Sequence, residues 1–282
     1  MEALASGYGL IEGPLWDPAK GLYFSDVPNG GISLLDRAGK ISVAVPKRRG
    51  VGGMALHADG GLIFGGRDIS YIDLKGGESR VLLSSADVPG AIGFNDLTTD
   101  RQGRVYVGSL AFRVFGGETP KPGGLHVIDL DGSVRTISDG VMLTNGLGFS
   151  PDGRRLYHSD SRSELVRVYD VADDGSVGPW RTFAKFEPGG VPDGLKVASD
   201  GSVWVADARG GRVAVFEGDG RHRMNVDAPL PMVTSVCFGG DDLRDLYVVT
   251  GSDRGPSDAC ACVFRTRVDT PGLALAPARV RV

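Results

Sequence analysis

A hairpin motif recurs six times along this chain of 282 residues. Each copy combines a short apolar strand, a polar turn rich in Asp and Gly, and a second short strand, and the copies occupy residues 13–24, 54–64, 96–107, 146–157, 194–205 and 235–248. One aromatic or aliphatic residue marks the second strand of each copy, at Tyr23, Ile63, Tyr106, Tyr157, Trp204 and Tyr247. These markers are 40, 43, 51, 47 and 43 residues apart. Such a period is typical of a four-stranded propeller blade.

Alternating apolar and polar runs lie between the hairpins, and each can form a third strand, at residues 32–36, 71–74, 125–130, 165–169 and 213–216. The sequence therefore predicts an all-β fold, a six-bladed β-propeller with four-stranded blades around a central channel, in a single domain spanning residues 1–282. A β-sandwich or a β-solenoid would also contain many strands, but neither predicts a hairpin that recurs at this period. Two alternatives are open for closing the ring, in which either residues 259–268 or residues 273–282 pair with the segment around residues 8–11.

The overall charge and the N-terminal sequence limit the functional classes. A formal net charge of -4 and scattered arginines provide no basic surface for nucleic acid. Residues 1–10 lack a basic segment followed by a long apolar run, and no stretch approaches the ~20 apolar residues of a membrane span. We therefore expect a cytoplasmic protein without nucleic-acid or membrane partners, present as a monomer or a weak homo-oligomer.

Four oxygen-bearing residues occupy the same position in the repeat. Counting back eight residues from the turn glycine gives Asn95, Asn145 and Asp193, and a turn that is one residue longer gives Glu12 in the first copy. Because the innermost strands of a propeller all start at one end of the channel, these side chains are predicted to converge on its axis. An all-oxygen set suits Ca²⁺, Mg²⁺ or Mn²⁺, and the absence of Cys and His argues against a structural zinc ion. The alternative is that these residues cap turns, since Asn-Gly and Asp-Gly are common turn pairs.

The motifs around these positions resemble the SMP-30/gluconolactonase/LRE group, which includes senescence marker protein 30 (regucalcin) and bacterial sugar lactonases. The resemblance covers almost the full length and is carried by the segments Glu12-Gly13-Pro14, Asn95-Asp96, Thr144-Asn145-Gly146-Leu147, Ser150-Pro151-Asp152-Gly153 and Pro192-Asp193-Gly194. It implies a propeller that binds one divalent cation through Glu12, Asn145 and Asp193. It also implies that Asn95 lies close to the metal or the substrate and that Asp193 is the acid or base.

The activity that this resemblance implies is the opening of a small lactone by metal-activated water, with Asp193 as general base and Asn95 as a second catalytic residue. We expect Ca²⁺ as the ion, with Mg²⁺, Mn²⁺, Zn²⁺ or Fe²⁺ as alternatives, and a small-molecule lactone or ester as the substrate. Two other functions are open: phosphotriesterase-like or other metal-assisted ester chemistry, and a non-catalytic propeller that binds a metal ion. A serine hydrolase is disfavoured because the chain contains no Gly-x-Ser-x-Gly motif.

Candidate substrate contacts come from the loops around the channel mouth. The loop at residues 111–121 is longer than its counterparts, and it can fold over the mouth as a lid or form a solvated surface loop. Sugar lactonases of the resembling group often carry an arginine two residues before the asparagine, where this chain has Gly93, so Arg113 in the loop is a candidate replacement. Phe94 and His158 are the other candidate substrate contacts.

Overall fold

The computed structural model describes residues 1–252 and 258–282, and its strands form six antiparallel sheets of four strands each. The strands, numbered in chain order and grouped by blade from the innermost outward, are as follows: blade 1, β2 (Ile11–Asp17), β3 (Gly21–Asp26), β4 (Ile32–Asp36) and β5 (Ile41–Val45); blade 2, β6 (Met54–Leu56), β7 (Leu62–Phe64), β8 (Ile69–Ile72) and β9 (Arg80–Leu83); blade 3, β10 (Gly93–Thr99), β11 (Val105–Leu110), β12 (Gly123–Ile128) and β13 (Val134–Val141); blade 4, β14 (Thr144–Phe149), β15 (Arg155–Asp160), β16 (Leu165–Asp170) and β17 (Arg181–Lys185); blade 5, β18 (Pro192–Val197), β19 (Val203–Asp207), β20 (Arg212–Phe216) and β21 (His222–Asp227); blade 6, β22 (Val233–Gly239), β23 (Asp245–Thr250), β24 (Ala261–Arg267) and β1 (Glu2–Tyr8). Short 3-10 helices occupy Ser85–Asp87 and Ser161–Ser163, and no helix in the described part of the chain is long and apolar enough to cross a membrane. The six-bladed propeller that the repeat predicts is confirmed.

Asp and Gly residues in the turns determine the hairpin geometry locally. In blade 3, Asp100 Oδ1 accepts hydrogen bonds from the backbone N–H groups of Gln102, Gly103 and Arg104, each at 2.9 Å. Gly103 has a φ of +96°, a left-handed conformation that glycine adopts without a steric penalty. The polar turns of the repeat therefore specify the hairpins before any blade packs against another.

The apolar residues of the repeat form the contacts between neighbouring blades. Trp204 of blade 5 packs edge-to-face against Phe238 of blade 6, with ring centroids 5.3 Å apart. Tyr106 of blade 3 packs in the same way against Phe149 of blade 4, at 4.9 Å. Burying one such side chain stabilises the fold by about 1.5–3 kcal/mol. The core is consequently distributed around the ring, one apolar layer between each pair of blades.

The N-terminal strand closes the ring. Strand β1 pairs antiparallel with strand β24, so that Tyr8 lies opposite Ala261. This pairing confirms the alternative in which residues 259–268 take part in closure. The pairing includes Tyr8 of the predicted N-terminal segment and extends from there back to Glu2, whereas Ile11 already begins the inner strand of blade 1.

The C-terminal tail, the other candidate for closure, crosses one end of the channel. The Leu273 N–H donates to Val197 O at 3.1 Å in blade 5, and the Ala278 N–H donates to Leu56 O at 2.7 Å in blade 2. Blades 5 and 2 lie on opposite sides of the ring, and both acceptors lie where an inner strand ends. The tail therefore spans the channel at the end opposite the one where the inner strands begin.

Candidate metal and catalytic site

Glu12, Asn95, Asn145 and Asp193 each lie at the start of the innermost strand of a different blade. In all four strands the pairing with the second strand is interrupted by a bulge at or directly after this residue. Bulges redirect side chains and are frequent beside functional sites. The structure thus places the four predicted residues at equivalent positions around one end of the channel.

The glycines that follow these positions allow neighbouring inner strands to approach closely. A Cβ atom on Gly146 would collide with the backbone of Leu195 in the next blade. The pairs Asn145-Gly146 and Asp193-Gly194 lie within strands β14 and β18 and not in turns. The alternative that these residues cap turns is therefore wrong, and the glycines serve the packing of one blade on the next.

Hydrogen bonds bring Asn95 of blade 3 into direct contact with blade 4. Its Nδ2 donates to Thr144 O at 2.8 Å and to Asn145 Oδ1 at 2.5 Å. The oxygen of the Asn95 amide, Oδ1, lies against Gly52 of blade 2. A Cβ atom on Gly52 would collide with this oxygen. Blade 2 therefore contributes no side chain at the equivalent position, since Asn95 fills that space.

A second set of hydrogen bonds joins Asn145 to the strand that carries Asp193. Asn145 Nδ2 donates to Ser161 Oγ at 2.7 Å, and Ser161 Oγ donates to Pro192 O at 2.6 Å. The serine lies in a 3-10 helix after strand β15, outside the register in which the four oxygen-bearing residues were found. In the sequence, Ser161 stands out only because it follows His158 near the channel in the fourth blade, and the pattern does not indicate its contacts with Asn145 and Pro192.

The carboxylates at this end of the channel are buried and disfavour each other's charge. Glu12 is 9% and Asp193 8% exposed. Burial raises the pKa of Glu12 well above its usual value, and the charges of Asp193 and Asp96 raise it further. Burial, followed by the charge of Asp96, likewise raises the pKa of Asp193. Burial also raises the pKa of Asp96 to about 6, although the positive charge of Lys196 acts in the opposite direction.

Asp96 entered the sequence reasoning only as part of a motif. It directly follows Asn95, at the repeat position where blades 1, 2, 4 and 5 carry glycine. Its side chain is buried, and Oδ2 has no hydrogen-bond partner in the described part of the chain. This departure from glycine was visible in the repeat, and it adds a third carboxylate to the site.

The residues at this site fit a divalent cation. Within residues 1–252 and 258–282, no group of three or more His, Cys, Asp or Glu side chains is arranged to hold a metal ion. The candidate set is of another kind, because it combines the carboxylates of Glu12 and Asp193 with amide oxygens from Asn145 and Asn95. Asp193 Oδ1 is buried without a hydrogen-bond partner among the described residues. A divalent cation would satisfy this oxygen and offset the repulsion between the carboxylates.

Phe94 and His158, the candidate substrate contacts on strands, are both buried. The Phe94 ring packs edge-to-face against His126 in the core, at 6.2 Å. His158 Nε2 and Thr144 Oγ1 form a hydrogen bond of 2.7 Å, which supports the strand that carries Asn145. Burial is the main cause that lowers the pKa of His158, to about 3. Both side chains are buried, and a substrate contact through either of them stays a prediction.

The loop at residues 111–121 leaves strand β11 at the end of the channel where inner strand β10 begins. Phe112 anchors the loop in the protein interior, whereas Arg113 is exposed. The backbone N–H of Arg113 donates to Glu118 Oε2 at 2.9 Å, and its Nε lies 3.8 Å from Glu118 Oε1. The loop is therefore folded on itself near the mouth, and a substrate contact through Arg113 stays a prediction.

Close packing explains the glycine at position 93. A Cβ atom on Gly93 would lie 3.0 Å from Gly66 O and 3.6 Å from Arg67 Cα, both in the neighbouring blade. A larger side chain would have to displace that backbone. The turn of blade 2 thus occupies the space into which a side chain at position 93 would extend.

The chain is similar to known proteins over most of its length. Residues 10–252 match the family described as SMP-30/Gluconolactonase/LRE-like region. Pentonolactonase XacC of Haloferax volcanii is 32% identical over 279 residues, covering 93% of this chain and 92% of its own length. The 6-deoxy-6-sulfogluconolactonase of Pseudomonas putida is 32% identical over 277 residues, covering 94% of this chain and 93% of its own.

A solved structure of luciferin-regenerating enzyme has the same fold. It superposes with a TM-score of 0.88 at 24% sequence identity and covers 99% of both chains. The profile match spans most of the chain, and the two curated relatives align over nearly their full length. The chain therefore belongs to the SMP-30/gluconolactonase/LRE-like family.

Proposed function

We propose that this protein is a divalent-metal-dependent hydrolase that opens a small sugar lactone at the mouth of the propeller channel. The observation that carries the proposal is the buried pair Glu12 and Asp193, brought together from blades 1 and 5 with raised pKa values and an unpartnered carboxylate oxygen. Two lactonases that are 32% identical to the chain support the choice of substrate.

Glu12, Asn145 and Asp193 are the residues that would hold the ion, with Asn95 beside them. Carboxylate and amide oxygens are the ligands that Ca²⁺ prefers in proteins, so we expect Ca²⁺, with Mg²⁺, Mn²⁺, Zn²⁺ or Fe²⁺ as alternatives. When bound, a divalent cation supplies Lewis-acid polarisation of the lactone carbonyl and lowers the pKa of coordinated water.

The proposed role of Asp193 is that of the general base. It accepts a proton from the water whose oxygen bonds to the lactone carbonyl carbon. The bond between this carbon and the ring oxygen then breaks, and the proton passes from Asp193 to the ring oxygen, giving the open-chain hydroxy acid. Burial raises the pKa of Asp193 while no cation is bound.

Asn95 and the channel walls position the reacting groups. Asn95 Nδ2 is fully used by Thr144 O and Asn145 Oδ1, so this residue holds the amide of its neighbour in a fixed orientation. The tail across the far end of the channel leaves the end with the four predicted residues as the side from which we expect substrate to enter. Fixing the geometry in this way reduces the entropic part of the barrier.

The test is initial-rate hydrolysis of a lactone panel by protein stripped with chelator and reloaded with single divalent ions. We expect one ion to restore the opening of sugar lactones, and Asp193→Asn or Glu12→Gln to lower kcat/KM by about 10²–10⁴-fold. Asp227→Asn is the matched control, since Asp227 is exposed on the outer strand of the same blade as Asp193.

Three outcomes would contradict this function. Full activity of Asp193→Asn would exclude the general base. Cleavage of phosphotriesters in preference to every lactone would favour the phosphotriesterase-like alternative. Tight binding of an ion without turnover of any lactone or ester would favour a non-catalytic metal-binding propeller.

A further inference from the structure

Ser161 joins two of the predicted ligand residues, although it is itself outside their repeat position. The residue is 3% exposed and begins the 3-10 helix Ser161–Ser163 after strand β15. Its hydroxyl accepts a hydrogen bond from Asn145 Nδ2 at 2.7 Å and donates one to Pro192 O at 2.6 Å. One side chain thus connects the inner strand of blade 4 to the residue that precedes Asp193 in blade 5.

The hydrogen bonds around Asn145 have one consistent direction. Because Ser161 donates its only proton to Pro192 O, it faces Asn145 as an acceptor, and only the NH₂ end of that amide can bond to it. The oxygen of Asn145 then points the other way, where Asn95 Nδ2 donates to it. A rotated amide would place the NH₂ groups of Asn145 and Asn95 against each other, so that each group would lose one of its present acceptors.

Ser161 is held rigidly enough to impose this direction. Its backbone N–H donates to Leu143 O at 3.0 Å. The preceding residue, Asp160, accepts hydrogen bonds from the backbone N–H of Leu143 at 3.1 Å and from Arg167 Nη2 at 2.6 Å. The side chains of Asp160 and Arg167 are both buried. The serine therefore sits on a fixed segment, and its two partners adjust to it.

We propose that Ser161 is a positioning residue for the metal site. By fixing the amide of Asn145 and the peptide bond before Asp193, it presents oxygens from two different blades to one ion. This inference rests on the proposed metal-dependent function, and it adds to that function a residue that contacts neither the ion nor the substrate. Outer residues that orient metal ligands commonly change metal affinity by about 10–100-fold when removed.

The first measurement is the affinity of chelator-stripped protein for Ca²⁺ and for Mn²⁺ by titration calorimetry. We expect Ser161→Ala to bind whichever ion the wild type binds about 10–100-fold more weakly. Ser163→Ala is the matched control, because Ser163 lies in the same 3-10 helix and is only partly buried. Ser161→Ala removes two buried hydrogen bonds and should melt below Ser163→Ala when both are metal-free, so the affinities are compared at a temperature at which both variants are folded.

A double-mutant cycle with Asn145→Asp tests the orientation directly. A carboxylate offers an oxygen whichever way it is turned, so the effect of Ser161→Ala on affinity should fall to about threefold or less in the Asn145→Asp background.

The inference is overturned if Ser161→Ala binds the ion as tightly as Ser163→Ala, or if its effect is equally large beside Asn145→Asp. In both cases the wild type still binds the ion, and the proposed function stands. A wild-type protein that binds neither ion, nor Mg²⁺, Zn²⁺ or Fe²⁺ in the same titration, would overturn the proposed function itself and this inference with it.

Discussion

The two buried histidines show how burial selects the residues that can take part in chemistry. Burial lowers the pKa of His126 to about 4 and is the main cause that lowers the pKa of His158 to about 3. His126 forms hydrogen bonds with Ser109 Oγ at 2.9 Å and Thr136 Oγ1 at 3.0 Å. Both imidazoles are therefore neutral at physiological pH, and they act as hydrogen-bonding groups between strands.

We expect the free energy of unfolding to depend on pH through His126. The folded state resists protonation down to about pH 4, whereas the unfolded chain binds a proton near the ordinary value of 6.5. Stability from this residue is thus fully present above pH 6.5 and is lost as the pH falls towards 4, by about 1.4 kcal/mol per pH unit. Urea unfolding at pH 7.5, 5.5 and 4.5 gives the difference in the free energy of unfolding between the wild type and His126→Gln. The contributions of the carboxylates, which both proteins share, cancel in this difference. Parallel pH profiles for the two proteins would contradict the prediction.

At the scale of strands and turns, the close approach of blades 2 and 3 determines what position 93 can hold. The turn after strand β7 lies where a side chain on Gly93 would extend. The φ angle of Gly93 is not in the left-handed region. The glycine is therefore required by space and not by backbone conformation. A bulge at the start of strand β10 then turns the chain so that Asn95 reaches the channel mouth.

Gly93→Ala should destabilise the protein by about 1–3 kcal/mol, because the added methyl group presses on the Gly66 carbonyl. Gly178→Ala is the matched control: its nearest neighbour would be 3.9 Å from the new Cβ atom, and its φ is likewise not left-handed. Urea midpoints at pH 7.5 give the two values. Equal stability of the two variants would contradict this prediction, because it would show that the backbone of blade 2 near Gly66 shifts at no cost.

At the scale of the whole molecule, the two chain ends stabilise the ring in different ways. Strand β1 completes blade 6, and the tail lies across the far end of the channel with Ala278 and Val280 buried. These two residues belong to an apolar cluster with residues of blades 2 and 3. That residues 1–282 form a single domain, and a monomer or weak homo-oligomer, stays a prediction.

Deleting residues 273–282 should lower the melting temperature markedly, since the burial of Val280 alone contributes about 1.5–3 kcal/mol. Affinity for the ion should change by about threefold or less, because the predicted ligands lie at the other end of the channel, beyond the distance at which mutational effects usually couple. Calorimetry gives both quantities and also shows whether the wild type unfolds in one transition, as a single domain should.

Removal of Val282 alone is the control. A truncated protein that melts with the wild type would show that the tail does not stabilise the ring.

The sequence by itself determined the number of blades, the hairpins and the position of Glu12, Asn95, Asn145 and Asp193. These features are local and are repeated six times, so turn chemistry and alternation specify each copy, and a shared register exposes the functional positions.

Only the tertiary structure decided which chain segments meet. Closure by β1 depends on its pairing with β24, and the path of the tail depends on its bonds to the inner strands of blades 5 and 2; such long-range contacts leave no local pattern. Phe94 packs in the apolar cluster between blades 2 and 3 and His158 is fully buried, and alternation along a strand reveals neither environment. Ser161 bonds to Pro192 of blade 5, and Asp96 lies close enough to Glu12 and Asp193 to raise their pKa values, so only the closed ring brings these groups together.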